Sequence, residues 1–369
     1  MEIESFADEF GPEKVVEVYN PRVGLKGILV IDSTALGPGK GGIRMTPSVT
    51  VEEVFRLARV MTWKTALADL HFGGAKSGII ADPKEISLEK KKELLFEFGK
   101  ALRPFCPKYY IAGPDVNTGE EEMRWFVEGA GSLKAATGKP KDLKGLPHEL
   151  GSTGYGVAIS TLVACKYARL KIKDAKIAIE GFGNVGTFTF KHLAEFGGKI
   201  VAVSDSKGCV YNPEGLSFEE LLKVKKETGS VINYSKGKVL KKEELFGLET
   251  DILIPAALSD SINENNVSQI KASLVVEAAN IAITKKAEEE LYKKGVLVVP
   301  DFVANAGGVI SSYAEYKGFN EEKMFKLVER KIKKNTKLVL KRSKEKQIKP
   351  REAAIEIAKE RVKKAMESK

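Results

Sequence analysis

The sequence predicts an α/β protein in two parts, a mixed α/β domain followed by a doubly wound domain built on a parallel sheet. Three observations carry this expectation. At 369 residues the chain exceeds what one hydrophobic core usually supports. From residue 175 onward, short apolar runs alternate with helical stretches, the grammar of a parallel sheet covered by helices. One of those runs is followed by Gly181-Phe182-Gly183-Asn184-Val185-Gly186, a glycine pattern that opens a helix.

In the first part, 25–33 and 109–112 read as strands, and 51–69, 88–103 and 119–129 as helices. Thr50 with Glu53, and Thr118 with Glu121, have the T-x-x-E spacing of a capping box. In the second part, 175–180, 200–204, 251–255, 274–277 and 296–300 read as strands, and 218–226 and 285–294 as helices. Ser217 with Glu220 is a further capping box, and Gly295 stands where the helix after Thr284 stops. The expected boundary lies near 146–151, giving a mixed α/β domain over 1–148 and a doubly wound domain over 149–344. An apolar periodicity at Ala353, Ala354, Ile357, Val362 and Ala365 predicts a last helix within 345–369 that packs back on the first domain.

Composition narrows the function. Hydrophobic residues make up 43% and charged residues 30%, a globular balance. No run of eighteen apolar residues exists and the acidic opening has no basic n-region, so neither signal peptide nor membrane anchor is expected and the cytoplasm is the expected location. Cys106, Cys165 and Cys209 form no ligand spacing with His71, His148 and His192, which argues against a metal site or a disulfide scaffold. The formal charge of +10 is concentrated in part around 331–349, but Leu338, Val339 and Leu340 interrupt the lysines, so a solvated helix face is expected there rather than a nucleic-acid surface. Glutamine occurs only at 269 and 347 among abundant lysine and glutamate, which fits a protein from a hot environment.

The glycine pattern has the context that gives it meaning. A strand precedes it, a helix follows, and Asp205 ends the next strand. The first glycine permits a tight turn, the second admits a pyrophosphate to the backbone, and the third lets helix pack on strand, with phosphate at the helix N-terminus. This predicts a Rossmann-type site for NAD or NADP at Gly181, Phe182, Gly183, Asn184, Val185 and Gly186. Asp205 would accept from ribose hydroxyls and favour NAD, while Ser204, Ser206 and Lys207 beside it would accommodate a 2′-phosphate.

Two lysines stand where folding alone would not put them. Lys64 falls on a stripe with Val54, Leu57, Met61 and Ala68, where a buried ammonium needs an anion unless it snorkels out. Lys76 follows Gly73-Gly74 and precedes Ser77-Gly78, a stretch with little bulk where backbone and a small ligand can approach closely; the plainer expectation is a glycine turn with an exposed lysine. Asp115 follows the strand at 109–112, at a carboxyl end where sites gather.

Taken in order, Gly37-Pro-Gly-Lys40-Gly-Gly-Ile-Arg-Met, Met61-Thr-Trp-Lys64, Gly73-Gly-Ala-Lys76-Ser-Gly, Gly113-Pro-Asp115-Val-Asn-Thr, Gly181–Gly186 and Asn305-Ala-Gly-Gly-Val-Ile-Ser-Ser312 resemble the glutamate dehydrogenases, within the superfamily that also holds leucine, valine and phenylalanine dehydrogenases. The resemblance implies reversible NAD(P)-dependent oxidative deamination of L-glutamate to 2-oxoglutarate and ammonia, by a homo-oligomer with a hexamer favoured. It implies that Lys76 activates water at the α-carbon, Asp115 moves protons at the amino group, and Lys64 binds the α-carboxylate. Lys40 and Ser312 match positions that hold the side-chain carboxylate, Thr153 and Val309 match further pocket positions, and Asn280 and Asn305 match positions near the nicotinamide. The rival expectations are a leucine- or valine-type dehydrogenase, whose pocket would be apolar at 40 and 312, and a dinucleotide-sensing protein without catalysis.

Overall fold

The computed structural model describes residues 6–147, 150–173 and 175–368. It divides into two compact units, one of Met1–Leu150, Val309–Leu327 and Ile355–Lys369, the other of Gly151–Gly308 and Val328–Ala354. The division differs from a contiguous split at 148/149. Two later segments return to the first unit, because the buried Glu315 and the side chain of Arg361 find their partners there. His148 lies outside the described residues.

In the first unit the described residues form a six-stranded mixed sheet. Its order is Lys14–Asn20, Leu25–Ser33, Gly73–Ile80, Gly39–Lys40 and Tyr110–Ile111, with Ile43–Thr46 also paired to Gly73–Ile80. Leu25–Ser33 runs antiparallel to both neighbours, while the two short strands beside Gly73–Ile80 run parallel to it. Leu29, Ile31, Ile43, Met45, Ala75 and Ile79 bury one sheet face with Phe98 and Phe126 of the helices Leu88–Leu102 and Glu120–Ala130. Val30, Val54, Phe55 and Ala58 bury the other, beneath the helix Val51–Leu67.

The stretch read as a glycine turn is therefore a buried strand, and its glycines serve packing. A Cβ at Gly74 would lie 2.1 Å from Thr62 Oγ1, and one at Gly78 2.8 Å from Val49. The helix could not approach a strand with side chains at these positions. Both Thr caps also differ from expectation. Thr50 Oγ1 accepts from the Glu53 N–H at 3.2 Å, but the Glu53 carboxylate pairs with Arg44 instead of closing the box. The helix Glu120–Ala130 is capped by Gly119, whose N–H donates to Glu122, and Thr118 is released to donate to the Ile43 carbonyl at 2.7 Å.

The second unit holds a seven-stranded sheet among the described residues, ordered Lys238–Leu240, Gly208–Tyr211, Lys199–Asp205, Lys176–Glu180, Ile252–Pro255, Leu274–Val276 and Leu297–Val299. The last five strands in this order are parallel, as the alternation predicted, and the first two add an antiparallel ribbon. Chain order reverses direction across Lys176–Glu180, so the glycine turn at its carboxyl end occupies the switch point where ligands of open α/β sheets bind. The lysine-rich helix Glu321–Lys346 pairs its charges along its own face, as Lys326–Glu322, Lys333–Glu329 and Lys341–Glu345.

Candidate active site

Strand register assembles the first unit's polar site. Lys40 pairs with Gly74 and Arg44 with Gly78, the residues two positions before and after Lys76. Side chains two apart share a face, so Lys40, Lys76 and Arg44 project from the same side of the sheet. The small residues around Lys76 leave room for its long stem.

Lys76 is 7% exposed and its Nζ stands 3.1 Å from Asp115 Oδ1. Arg44 Nε donates to Asp115 Oδ2 at 2.9 Å, and its Nη1 donates to Glu53 at 2.6 Å. Burial pushes the Lys76 ammonium below the usual lysine range, and the pull of Asp115 does not restore it. Burial alone would raise the Asp115 carboxyl, but the charges of Lys76 and Arg44 outweigh it and hold that carboxyl ionised. Asp115 is also fixed at its backbone, its N–H donating to Thr118 Oγ1 at 2.9 Å. The result is a lysine able to shed its proton beside a carboxylate able to take one.

Lys40 is 4% exposed and donates to the Ala112 carbonyl at 2.5 Å. Burial, with repulsion from Lys139 and Lys76 against attraction from Glu315, lowers its pKa to about 7. Glu315 pairs with the buried Lys139 and accepts the Gly138 and Leu146 N–H groups at 2.9 and 3.0 Å. Ser312 is half-buried on the helix Gly307–Tyr316, one turn before Glu315, so it shares the helix face whose carboxylate acts on Lys40. Val309, on the same helix, is buried. Thr137 Oγ1 is buried and has no hydrogen-bond partner, and the Thr137 N–H donates to the same Ala112 carbonyl as Lys40.

Lys64 is half-buried rather than on the core face, which Val54, Phe55, Ala58, Thr62 and Thr65 form instead. Leu57 and Met61 share its half-buried line. Its helix end is tied to the Lys76 strand by Thr65, whose hydroxyl donates to the Gly73 carbonyl at 3.1 Å.

The second unit fits a dinucleotide. Gly181 takes φ +100°, and a Cβ at Gly186 would lie 1.9 Å from the Gly181 carbonyl oxygen, so helix and turn approach only as glycine allows. A Cβ at Gly183 would meet nothing within 4 Å. Gly183 caps the helix Asn184–Glu195 without a side-chain bond, leaving the helix N-terminus to an anion, and Asn184 Oδ1 is buried without a partner. Phe182 is buried under the turn and Val185 half-buried in the first helical turn.

Asn305 Nδ2 donates to Asn280 Oδ1 at 2.9 Å and to the Ala278 carbonyl at 3.2 Å, joining the two expected asparagines. Thr153 is buried in the helix Ser152–Tyr167, facing Gly308, where a Cβ would lie 2.9 Å from its hydroxyl. Asp205 departs from expectation. Its carboxylate is turned to the protein, accepting from Lys225, Ser230, the Val231 N–H and the Lys207 N–H at 2.7–3.1 Å. Ser206 beside it is exposed.

Sequence reasoning gave no role to Arg44, Lys139, Glu315 or Thr137, and to Glu53 only that of a helix cap. Arg44 left a faint signal, a charged residue between the core residues Ile43 and Met45 of a short strand. The Lys139–Glu315 pair joins residues far apart in the chain and left none. Among the described residues no cluster of His, Cys, Asp and Glu could hold a metal, and burial pushes Cys106 and Cys209 up to about 12 and Cys165 to about 11, so none is a ready nucleophile.

Residues 12–130 match the family model described as the Glu/Leu/Phe/Val dehydrogenase dimerisation domain, and 145–369 match that of the Glutamate/Leucine/Phenylalanine/Valine dehydrogenases. The chain belongs to this family of amino-acid dehydrogenases. It is 43% identical over 352 residues to the glutamate dehydrogenase of Aeropyrum pernix, covering 90% of this chain and 84% of that one. It is 40% identical over 319 residues to the NADP-specific glutamate dehydrogenase of Saccharolobus shibatae, covering 83% and 75%. Among solved structures it is similar to the hetero-hexameric glutamate dehydrogenase of Thermus thermophilus in its leucine-bound form, with 32% identity, a TM-score of 0.84, and 96% and 89% of the two chains covered.

Arg44 acts on both Lys76 and Asp115, so its removal gives a signed pH effect if these two groups carry turnover. Arg44→Met removes a repulsion that lowers the Lys76 pKa and an attraction that lowers that of Asp115. Both therefore rise, and the acid limb of kcat/KM moves to higher pH, with a loss of about tenfold or more at neutral pH. An unmoved limb, measured from pH 5 to 10, would show that the group titrating in turnover lies elsewhere.

Proposed function

We propose that the protein catalyses the reversible NAD(P)-dependent oxidative deamination of L-glutamate to 2-oxoglutarate and ammonia. The observation that carries this is the cluster of the buried Lys76 with the half-buried Asp115 and Arg44, beside a second buried lysine, Lys40, on the same sheet face. A bound nicotinamide dinucleotide, held by the turn Gly181–Gly186 with Asn280 and Asn305 near its nicotinamide, supplies the hydride acceptor. The chain's own groups do the rest. Lys64 clamps the α-carboxylate. The Asp115 carboxylate accepts a proton from the α-amino group, for which its depressed pKa keeps it ionised. Neutral Lys76 accepts at Nζ the proton of the water that attacks the α-carbon, then returns it as ammonia leaves.

Lys40 is the specificity group in this reading. An ammonium buried with one protein acceptor gains from an arriving carboxylate, and Ser312 and Thr137 add hydroxyls that an aliphatic side chain would leave unsatisfied. Thr153 and Val309 complete the substrate positions. The reading extends to a cytoplasmic homo-oligomer, with a hexamer favoured and service at high temperature, and without a nucleic-acid partner. The hetero-hexameric relative supports six subunits, the scarcity of glutamine supports service at high temperature, and the self-paired charges of Glu321–Lys346 speak against a nucleic-acid surface. No described helix is long and apolar enough to cross a membrane. The test is stoichiometric. Each dinucleotide reduced with glutamate should yield one 2-oxoglutarate and one ammonia, and dinucleotide reduction without ammonia release would overturn the reading.

A further inference from the structure

Arg351 stands in the first turn of the helix Pro350–Glu367, far along the chain from the dinucleotide turn, and commits each of its guanidinium nitrogens to a different buried carboxylate. Nε donates to Glu288 at 2.8 Å, Nη1 donates to Asp301 Oδ1 at 2.9 Å, and Nη2 donates to Glu277. The acids come from separate elements. Glu277 follows the strand Leu274–Val276, Glu288 lies in the helix Lys285–Lys293, and Asp301 opens the helix Asp301–Ala304. Burial, aided by Asp301 and Glu288 and opposed by Arg351, pushes the Glu277 carboxyl up to about 8, and its buried Oε2 has no hydrogen-bond partner. Such a cluster is a poor source of stability, because desolvation of its charges offsets their attraction.

What it secures is the spacing of two asparagines. Asp301 Oδ1 is held by Arg351, while its Oδ2 accepts from the N–H of Ile281, the neighbour of Asn280, at 2.9 Å. Asn305 caps the short helix that Asp301 opens, and its N–H donates to the Asp301 carbonyl at 2.7 Å. One residue therefore ties down both backbones, and the asparagine side chains meet at 2.9 Å. The segment needs this support. Ile281 takes φ +51°, a left-handed conformation that β-branched residues rarely adopt, and it is 55% exposed, so burial of its side chain does not hold it there. Its carbonyl accepts from the Asp260 N–H at 2.8 Å and that of Asn280 from the Ser259 hydroxyl at 2.9 Å, which leaves Asp301 to hold the N–H side.

We infer that Arg351 is a positioning residue for the nicotinamide half of the bound dinucleotide, acting through Asp301 on Asn280 and Asn305. The inference rests on the place near the nicotinamide proposed above for these asparagines and adds what holds them there. Without Arg351, Asp301 is one of three buried carboxylates that repel one another, and the Ile281 N–H loses a fixed acceptor. The glycine turn Gly181–Gly186 is built from other residues and keeps its shape.

The test is calorimetry on the intact protein without amino-acid substrate, comparing NADH with ADP-ribose, and NADPH with the 2′-phosphate of ADP-ribose, in whichever pair binds more tightly. Each pair differs only by the nicotinamide. The parent should bind the dinucleotide more tightly than its fragment. Arg351→Met should weaken the dinucleotide by about tenfold and leave the fragment within about threefold. Arg351→Lys, which keeps the charge but not the three-way fork, should fall between. Asp301→Asn keeps the shape and leaves one oxygen for two donors, so it should reproduce the selective loss even where Arg351→Met does not fold. Dinucleotide and fragment weakened equally, or neither weakened, in folded Arg351→Met or in Asp301→Asn would overturn the inference. A parent that binds fragment and dinucleotide equally would instead overturn the place of Asn280 and Asn305 near the nicotinamide.

Discussion

Lys40→Leu combined with Ser312→Val is expected to abolish glutamate turnover and to make the protein more stable. The activity loss follows from leaving the substrate's side-chain carboxylate unpaired in an enclosed site, a cost of roughly 3–5 kcal/mol, or a factor of several hundred or more in kcat/KM. Leucine and norvaline should hold or gain, because the polar groups they leave unsatisfied are gone. The stability gain has a definite sign. Lys40 has a folded pKa of about 7 against 10.5 in a model peptide. Between these values the unfolded chain binds a proton that the folded chain does not, so stability falls as pH drops through this window and stays reduced below it. The penalty is roughly 4–5 kcal/mol near and below pH 7, and an apolar side chain of similar length removes much of it. Thermal unfolding of Lys40→Leu should therefore show its advantage at neutral pH and lose it towards pH 10.5. A variant less stable than the parent at every pH would mean that the buried ammonium is compensated after all.

Lys76→Ala and Asp115→Asn should each lower kcat by roughly a hundredfold to ten-thousandfold while dinucleotide binding stays intact. The two differ in what remains. Lys76→Ala removes the titrating base, so its residual rate should lose the acid limb of the parent. Asp115→Asn keeps the shape but removes the charge that raises the Lys76 pKa, so the limb of its residual activity should move to lower pH. That is opposite to the shift expected for Arg44→Met, and the opposed signs are hard to produce by unfolding. Near-parental turnover in either variant would remove Lys76 and Asp115 from the chemistry.

What could be read in the sequence was what local rules govern. The helices Val51–Leu67 and Leu88–Leu102 are set by periodicity and N-caps, and the parallel strands by apolar runs between glycine and proline breaks. Lys76 stood out because folding alone gives no reason for a lysine there, and Asp115 because it follows a strand at the carboxyl end where sites gather. What local rules do not govern stayed hidden. Gly73–Ile80 reads as a turn because its glycines answer to a helix that ends before the strand begins, and nothing within the strand reports that approach. Thr118 has the spacing of a cap, but its hydroxyl is claimed by the Ile43 carbonyl from another strand. Asp205 has the position of a ribose ligand, and only Lys225, Ser230 and Val231, folded back from twenty or more residues on, show that its carboxylate is taken.

In the proposed function the buried Lys40 makes this family member prefer glutamate. The decisive measurement is kcat/KM for L-glutamate against L-leucine in the unmodified protein, with NAD and with NADP, at one pH and salt concentration. The polar pocket predicts glutamate ahead by about a hundredfold or more with at least one dinucleotide. Leucine equal to or ahead of glutamate with both would contradict it.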